Sequence, residues 1–230
     1  MGYATYLFVR KDGFVNNIVN ELVEKYIKQT VNTGFDLSCM EKYAKEHNVP
    51  IIQKEVASFL KVLLKIHKPK RILEVGTAIG YSSILFALSL DKECQIITVE
   101  RNEEMIKKAT ENIKKFGLQD NITIIDGDAK EKLKEIDGNF DMIFLDAAKG
   151  QYKIFFDIVI DKLDVGGLLI SDNVLYKGMI ASDEFLIKRK KTIAKRMREY
   201  LDYICNCNYL DTSLVPIGDG IALSYKKEKR

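Results

Sequence analysis

Acidic and amide side chains stand at the ends of short apolar runs through the middle of this chain: Glu74, Glu100, Asp128, Asp146 and the pair Asp172-Asn173. Two glycines, Gly76 and Gly80, follow the first run, and Lys149 follows Asp146 by three residues. Gly76-Thr77-Ala78-Ile79-Gly80 is a G-x-x-x-G turn. It lacks both the G-x-G-x-x-G dinucleotide fingerprint and the Gly-Lys-Ser/Thr of a phosphate-cradling loop. Taken alone it reads equally as a plain strand-to-helix turn. Glu100, at the end of the next run, is placed to accept hydrogen bonds from a ribose diol. A turn without a phosphate cradle plus a ribose acid suits a nucleoside cofactor that lacks phosphates, such as S-adenosylmethionine, with NAD as the alternative. Asp146, Asp172 and Asn173 supply hard oxygen donors of the kind that bind Mg²⁺, Mn²⁺ or Ca²⁺. Asp172 and Asn173 could equally cap a turn.

The elements that must position these groups follow from periodicity. From Lys70 onward, β-rich runs alternate with helical patterns. Arg71 to Val75, Gln95 to Glu100, Asn121 to Ile125, Asp141 to Leu145 and Leu168 to Ser171 read as strands, the last after a turn at Val165-Gly166-Gly167. Helices are expected over Tyr81 to Leu90, from Asn102 as cap to Phe116, over Ala129 to Ile136, over Gln151 to Leu163 and over Glu184 to Tyr203. Strands that alternate with helices pair in parallel, since tight turns cannot join parallel strands. Ligands of such sheets bind beyond the carboxyl ends of the strands, where the polar residues above lie. Tyr209 to Ile217 and Ile221 to Lys226 flank Gly218-Asp219-Gly220 as an antiparallel hairpin. Before Lys70, amphipathic helices are expected over Asn16 to Lys28, Asp36 to His47 and Gln53 to His67. His47 and His67 read as ordinary helix residues. One domain is expected over 1–230, a helical part at 1–68 and a core at 69–230.

Composition narrows the classes. No apolar run approaches the ~20 residues of a membrane span. Met1 to Arg10 lacks the regions of a signal peptide, so a cytoplasmic protein is expected. Four cysteines are too few for a disulfide framework, and Cys205-x-Cys207 has no second pair or nearby histidine to complete a ligand set. The net charge is only +3, yet seven basic residues fall between Glu184 and Asp202: Lys188, Arg189, Lys190, Lys191, Lys195, Arg196 and Arg198. Such a run is either a solvated helix face or a phosphate-contacting patch.

Six ordered blocks carry a family resemblance: KRILEVGTAIGYSS at 70–83, ITVERNEEM at 97–105, GDA at 127–129, FDMIFLDAAKGQY at 140–152, SDNVLYKG at 171–178 and PIGDGIALS at 216–224. The chain resembles class I O-methyltransferases of the catechol and caffeoyl-CoA type, most closely a bacterial subgroup that methylates 5-hydroxyuridine in tRNA. The resemblance implies a Rossmann-like α/β fold with a mostly parallel seven-stranded sheet, a C-terminal antiparallel hairpin and N-terminal helices. It implies that Ile52, Ser82, Glu100, Asp128, Ala129 and Asp146 contact S-adenosylmethionine, to which the turn itself adds Gly76 as a backbone contact, and that Asp146, Asp172 and Asn173 bind Mg²⁺ or Mn²⁺. Lys149 occupies the position of the lysine that removes the hydroxyl proton in the catechol enzymes. Ala147-Ala148 replace the aromatic neighbours of the catechol type. The expected acceptor is the wobble 5-hydroxyuridine of a tRNA anticodon loop, with the basic run on the phosphates, and a small catechol or phenol is the alternative. A nucleotide-binding module without catalysis is the reading from another class. A homodimer is expected from the family and from the apolar N-terminal helices.

Overall fold

The computed structural model describes residues 19–182 and 188–230. Seven strands form one sheet in the order β3-β2-β1-β4-β5-β7-β6. They are β1 (Arg71–Val75), β2 (Gln95–Glu100), β3 (Ile122–Asp126), β4 (Phe140–Leu145), β5 (Leu163–Ser171), β6 (Leu210–Val215) and β7 (Ile221–Lys226). Strands β1 to β5 pair in parallel. Strand β7 runs antiparallel between β5 and β6, so the expected hairpin is present at one edge.

Alternation along each strand builds two cores. Ile72, Ile96, Met142, Phe144 and Ile170 point to one face. They pack there with α2 (Ser38–His47), α3 (Lys54–His67), α4 (Tyr81–Ser89) and α5 (Glu103–Lys115). Leu73, Val75, Val99, Ile143, Leu145 and Leu169 point to the other. They meet α6 (Ala129–Glu135), α7 (Tyr152–Val159) and α8 (Lys191–Cys205). A strand buried on both faces reads as a nearly continuous apolar run, as DMIFL does. Asn102 caps α5 as expected, its Oδ1 accepting from the backbone N–H of Glu104 at 3.0 Å and Met105 at 3.1 Å.

Several expected boundaries shift. Helix α1 is Glu21–Thr30, while the start of the expected Asn16 to Lys28 helix lies outside the described residues. Helix α1 has no buried residue, and its Leu22, Val23 and Tyr26 are exposed, as are Val62 and Ile66 of α3. The expected helix over Gln151 to Leu163 is α7 flanked by single 3₁₀ turns at Lys149–Gln151 and Ile160–Lys162. The Val165-Gly166-Gly167 turn lies within β5. Phe140 pairs with Leu163 but Met142 pairs with Leu168, so residues 164–167 bulge out opposite Asp141. Of the expected helix over Glu184 to Tyr203, residues 184–187 lie outside the described set, and the rest is a 3₁₀ turn at Lys188–Lys190 running into α8. Among the described residues, no helix is long and apolar enough to cross a membrane.

Candidate active site

The strand order reverses between β1 and β4, so the chain leaves the sheet in opposite directions on either side of that pair. A crevice opens there at the carboxyl ends of the strands. It is a cavity of about 560 Å³ whose walls include Ile52, Gly76, Ala78, Ser82, Glu100, Asp128, Ala129, Asp146, Lys149, Asp172 and Asn173. That volume suits a cofactor or small-molecule site. Every residue that the family resemblance names as a cofactor contact, a metal ligand or the proton-accepting lysine lies on this wall.

Backbone hydrogen bonds knit the strand ends together. Gly76 N–H donates to Val99 O at 3.1 Å, Asp146 N–H to Val75 O at 3.0 Å, and Asp172 N–H to Leu145 O at 2.9 Å. Gly76 has φ +105, and a Cβ there would sit 2.2 Å from the carbonyl oxygen of Asp146. Only glycine lets the β1 turn pass this close to the end of β4.

At one end of the cavity, Glu100 is held by three backbone donors. Its Oε2 accepts from Ala78 N–H at 3.0 Å, and its Oε1 accepts from the N–H groups of Arg101 and Asn102, each at 3.0 Å. The carboxylate is thereby fixed in orientation and keeps lone pairs for a diol. Asp128 caps α6 through Lys130 N–H at 2.9 Å and lies 3.4 Å from Arg101 Nη1. Ser82 lines the cavity, and its hydroxyl donates to the buried carboxylate of Glu74. Ser83 donates to the same carboxylate, as does Thr98 at 2.7 Å. Burial pushes the Glu74 carboxyl up to about 7 against the lowering effect of these hydroxyls. Glu74 therefore anchors the turn and α4 from below, and it is absent from the cavity wall.

At the other end, Asp172 is buried and Asp146 is half-buried. Asn173, with φ +57, donates its side-chain amide to Asp146 Oδ1 at 3.1 Å, and its backbone N–H donates to Asp172 Oδ1 at 2.7 Å. The local turn and the convergence on Asp146 thus coexist. Burial raises the Asp146 carboxyl, opposed by Asn173 and Lys149. Burial, then the charge of Asp146, pushes the Asp172 carboxyl up to about 8. Two desolvated carboxylates that oppose each other's ionisation, with an amide oxygen adjoining, fit a divalent cation. Among the described residues, no three His, Cys, Asp or Glu side chains converge, so an oxygen set completed by Asn173 is the one available.

Lys149 lies beside this set, and its Nζ is 3.0 Å from Oδ2 of Asp219. Sequence reasoning placed Asp219 only in a hairpin turn. Its signal was an acid between two glycines in a block that carries the family resemblance.

Residues 23–227 match the family described as O-methyltransferase. The chain belongs to the O-methyltransferase family. An Arabidopsis thaliana protein assigned as a caffeoyl-CoA O-methyltransferase is 31% identical over 214 residues, covering 89% of this chain and 85% of the relative. A Staphylococcus aureus crystal structure assigned to the same type is 35% identical with a TM-score of 0.83, covering 90% of this chain and all of that one. The S-adenosylhomocysteine-bound methyltransferase PaMTH1 of Podospora anserina is 25% identical with a TM-score of 0.80, covering 90% of this chain and 94% of that one. Glu100 stands at one end of the shared cavity and Asp146, Lys149 and Asp172 at the other.

Proposed function

We propose that this protein transfers the methyl group of S-adenosylmethionine to a hydroxyl oxygen of a small acceptor carrying two vicinal oxygens, a catechol-type phenol. The observation that carries this reading is a single cavity with a diol-accepting carboxylate, Glu100, at one end and the Asp146, Asp172 and Asn173 oxygens beside Lys149 at the other. The relatives assigned to caffeoyl-CoA methylation support a phenolic acceptor over other hydroxyls.

The donor has no phosphates, and the G-x-x-x-G turn offers backbone and a ribose acid instead of a phosphate cradle. Asp146, Asp172 and Asn173 would hold Mg²⁺ or Mn²⁺. A divalent cation there supplies Lewis acidity that lowers the pKa of a vicinal hydroxyl. Lys149, entering the step as the free amine, accepts that hydroxyl proton on Nζ, and the Asp219 carboxylate pairs with the ammonium so formed. The oxygen then attacks the sulfonium methyl. A carbon–oxygen bond forms, the carbon–sulfur bond breaks, and its electron pair stays on sulfur, giving S-adenosylhomocysteine and the methyl ether. In-line placement of the two reactants in one cavity is the main source of acceleration.

The basic run favours a second reading, methylation of a wobble 5-hydroxyuridine in tRNA. Its O5 hydroxyl and O4 carbonyl form a comparable oxygen pair. Lys188, Arg189, Lys190, Lys191 and Arg196 have no carboxylate within ion-pair distance among the described residues, whereas Lys195 lies 3.8 Å from Glu199. Arg196 borders the Lys149–Gln151 turn, with Nη1 3.5 Å from Gly150 O. The deciding experiment incubates the purified protein with labelled S-adenosylmethionine, Mg²⁺ and either catechol or 5-hydroxyuridine-containing tRNA. Label in the catechol ether alone supports the first reading. Label in 5-methoxyuridine alone overturns it in favour of the second.

A further inference from the structure

Tyr176 is buried behind Lys149, which lines the cavity together with Asp146 and Asp172. The Lys149 Nζ lies 5.2 Å from its ring centroid, and the Lys190 Nζ lies 5.1 Å from the same centroid. An ammonium within about 6 Å of an aromatic face is attracted by the ring quadrupole. Tyr176 sits on backbone that is costly for a side chain. Tyr176 has φ +49 and Lys177 φ +55, and Gly178 follows at φ +76. Two successive non-glycine residues in the left-handed region persist only where surrounding structure holds them.

That structure is the loop bearing Asp219. Val174 N–H donates to Gly220 O and Leu175 N–H to Asp219 O, each at 2.9 Å. Lys177 N–H donates to Asp219 Oδ1, while Oδ2 of the same carboxylate takes Lys149. One carboxylate therefore fixes both the lysine and the backbone that presents the ring to it.

We propose that Tyr176 is a positioning residue for Lys149. Its ring closes one side of the ammonium and Asp219 another, so Nζ is kept beside Asp146 and Asp172 rather than swinging into solvent. Lys190 covers the ring and hinders it from turning away. The role rests on the reading of Lys149 as proton acceptor.

The test has two independent arms. In the first, proton NMR follows the ε-methylene of Lys149, assigned by its disappearance in Lys149→Ala. The aromatic ring current should displace this signal in the wild type and in Tyr176→Phe, and the displacement should vanish in Tyr176→Leu. An undisplaced signal in the wild type overturns the proposal without reference to activity. In the second, turnover is measured with catechol or hydroxylated tRNA, whichever the wild type methylates. Tyr176→Leu should lower kcat about fivefold to thirtyfold. S-adenosylmethionine affinity should be unchanged, and Tyr176→Phe should stay near wild type. In a Lys149→Ala background, Tyr176→Leu should cost nothing further. An equal loss in both backgrounds overturns the positioning role. Wild-type turnover by Lys149→Ala would instead overturn the proton-acceptor reading, while the ring-current arm still decides where Tyr176 holds the side chain.

Discussion

Lys149 and Asp219 are seventy residues apart in the chain, and their charged groups meet at 3.0 Å. The contact joins the turn after β4 to the loop between β6 and β7. It ties the antiparallel edge of the sheet to the carboxyl ends of the parallel strands. Asp219→Asn keeps the shape but removes the charge that stabilises a protonated Lys149. Turnover should fall about tenfold or more, with cofactor affinity little changed. Steady-state kinetics alongside calorimetric titration with S-adenosylmethionine measure both. Unchanged kcat in a folded variant would show that Lys149 works without Asp219.

Glu100 is anchored by three backbone N–H groups, so its orientation does not depend on the ligand. Glu100→Gln should weaken S-adenosylmethionine binding, since a hydrogen bond to a charged acceptor is worth about 1.5–3 kcal/mol. That corresponds to roughly tenfold to a hundredfold in Kd. Equal affinity by calorimetry would remove Glu100 from the cofactor site.

Much of this site was legible because parallel α/β chains place their ligand groups at strand ends, and strand ends can be read from apolar runs. Glu100, Asp146 and Asp172 each close such a run, and all three line the cavity. Ile52 is harder to read, since it precedes α3 in sequence and reaches the cavity only through packing of the N-terminal helices. Ser82 is assigned to the cofactor by resemblance and lines the cavity, and its hydroxyl also donates to Glu74. Periodicity gives no account of a buried carboxylate that gathers three hydroxyls from two elements. Asp219 and Tyr176 were missed as site members for a related reason. Turn chemistry explains a Gly-Asp-Gly segment by itself, and only the fold shows what its side chain meets.

The carboxylates of Asp146 and Asp172 should make metal binding visible without turnover. Mg²⁺ or Mn²⁺ should raise the melting temperature of the wild type, since a ligand that binds only the folded state stabilises it. Asp172→Asn should abolish the shift, and EDTA should stop methyl transfer. A melting temperature indifferent to both cations, with full activity in EDTA, would remove the metal from the site.

Glu74 gives a pH dependence with a definite sign. Its carboxyl is raised from 4.5 to about 7 in the folded protein, chiefly by burial. Between those values the folded state binds the proton more tightly than the unfolded state does. Stability should therefore decline as pH rises from about 5 to about 7, by up to roughly 3 kcal/mol from this group. Glu74→Gln removes this titration, so its stability should vary less with pH over that window. Denaturant unfolding in metal-free buffer at pH 5, 6, 7 and 8 measures the difference. Parallel profiles for the two proteins would mean that the hydroxyls of Ser82, Ser83 and Thr98 hold the carboxylate ionised despite its burial.

The basic run separates the two acceptor readings. Lys188, Arg189 and Lys190 form a turn whose last residue stacks on Tyr176, and Arg196 borders the turn that carries Lys149. Lys190 and Arg196 thus lie on the Lys149 side of the cavity, opposite the end that holds Glu100. Replacing Lys188, Arg189 and Lys191 by glutamine leaves the ring contact of Lys190 in place. If the acceptor is tRNA, its affinity should fall and the salt dependence of binding should flatten, by roughly 0.7–0.9 in slope for each phosphate that is no longer neutralised. Methylation of catechol by the same variant should stay near wild type, because a small phenol reaches only the cavity. A coenzyme A ester of a catechol acid adds an intermediate case, since it carries phosphates beyond a small reacting ring. Its KM should rise in the variant if those phosphates meet the run, with kcat held. Equal behaviour of wild type and variant toward all three acceptors would assign the run to a solvated face and leave acceptor choice to the cavity walls.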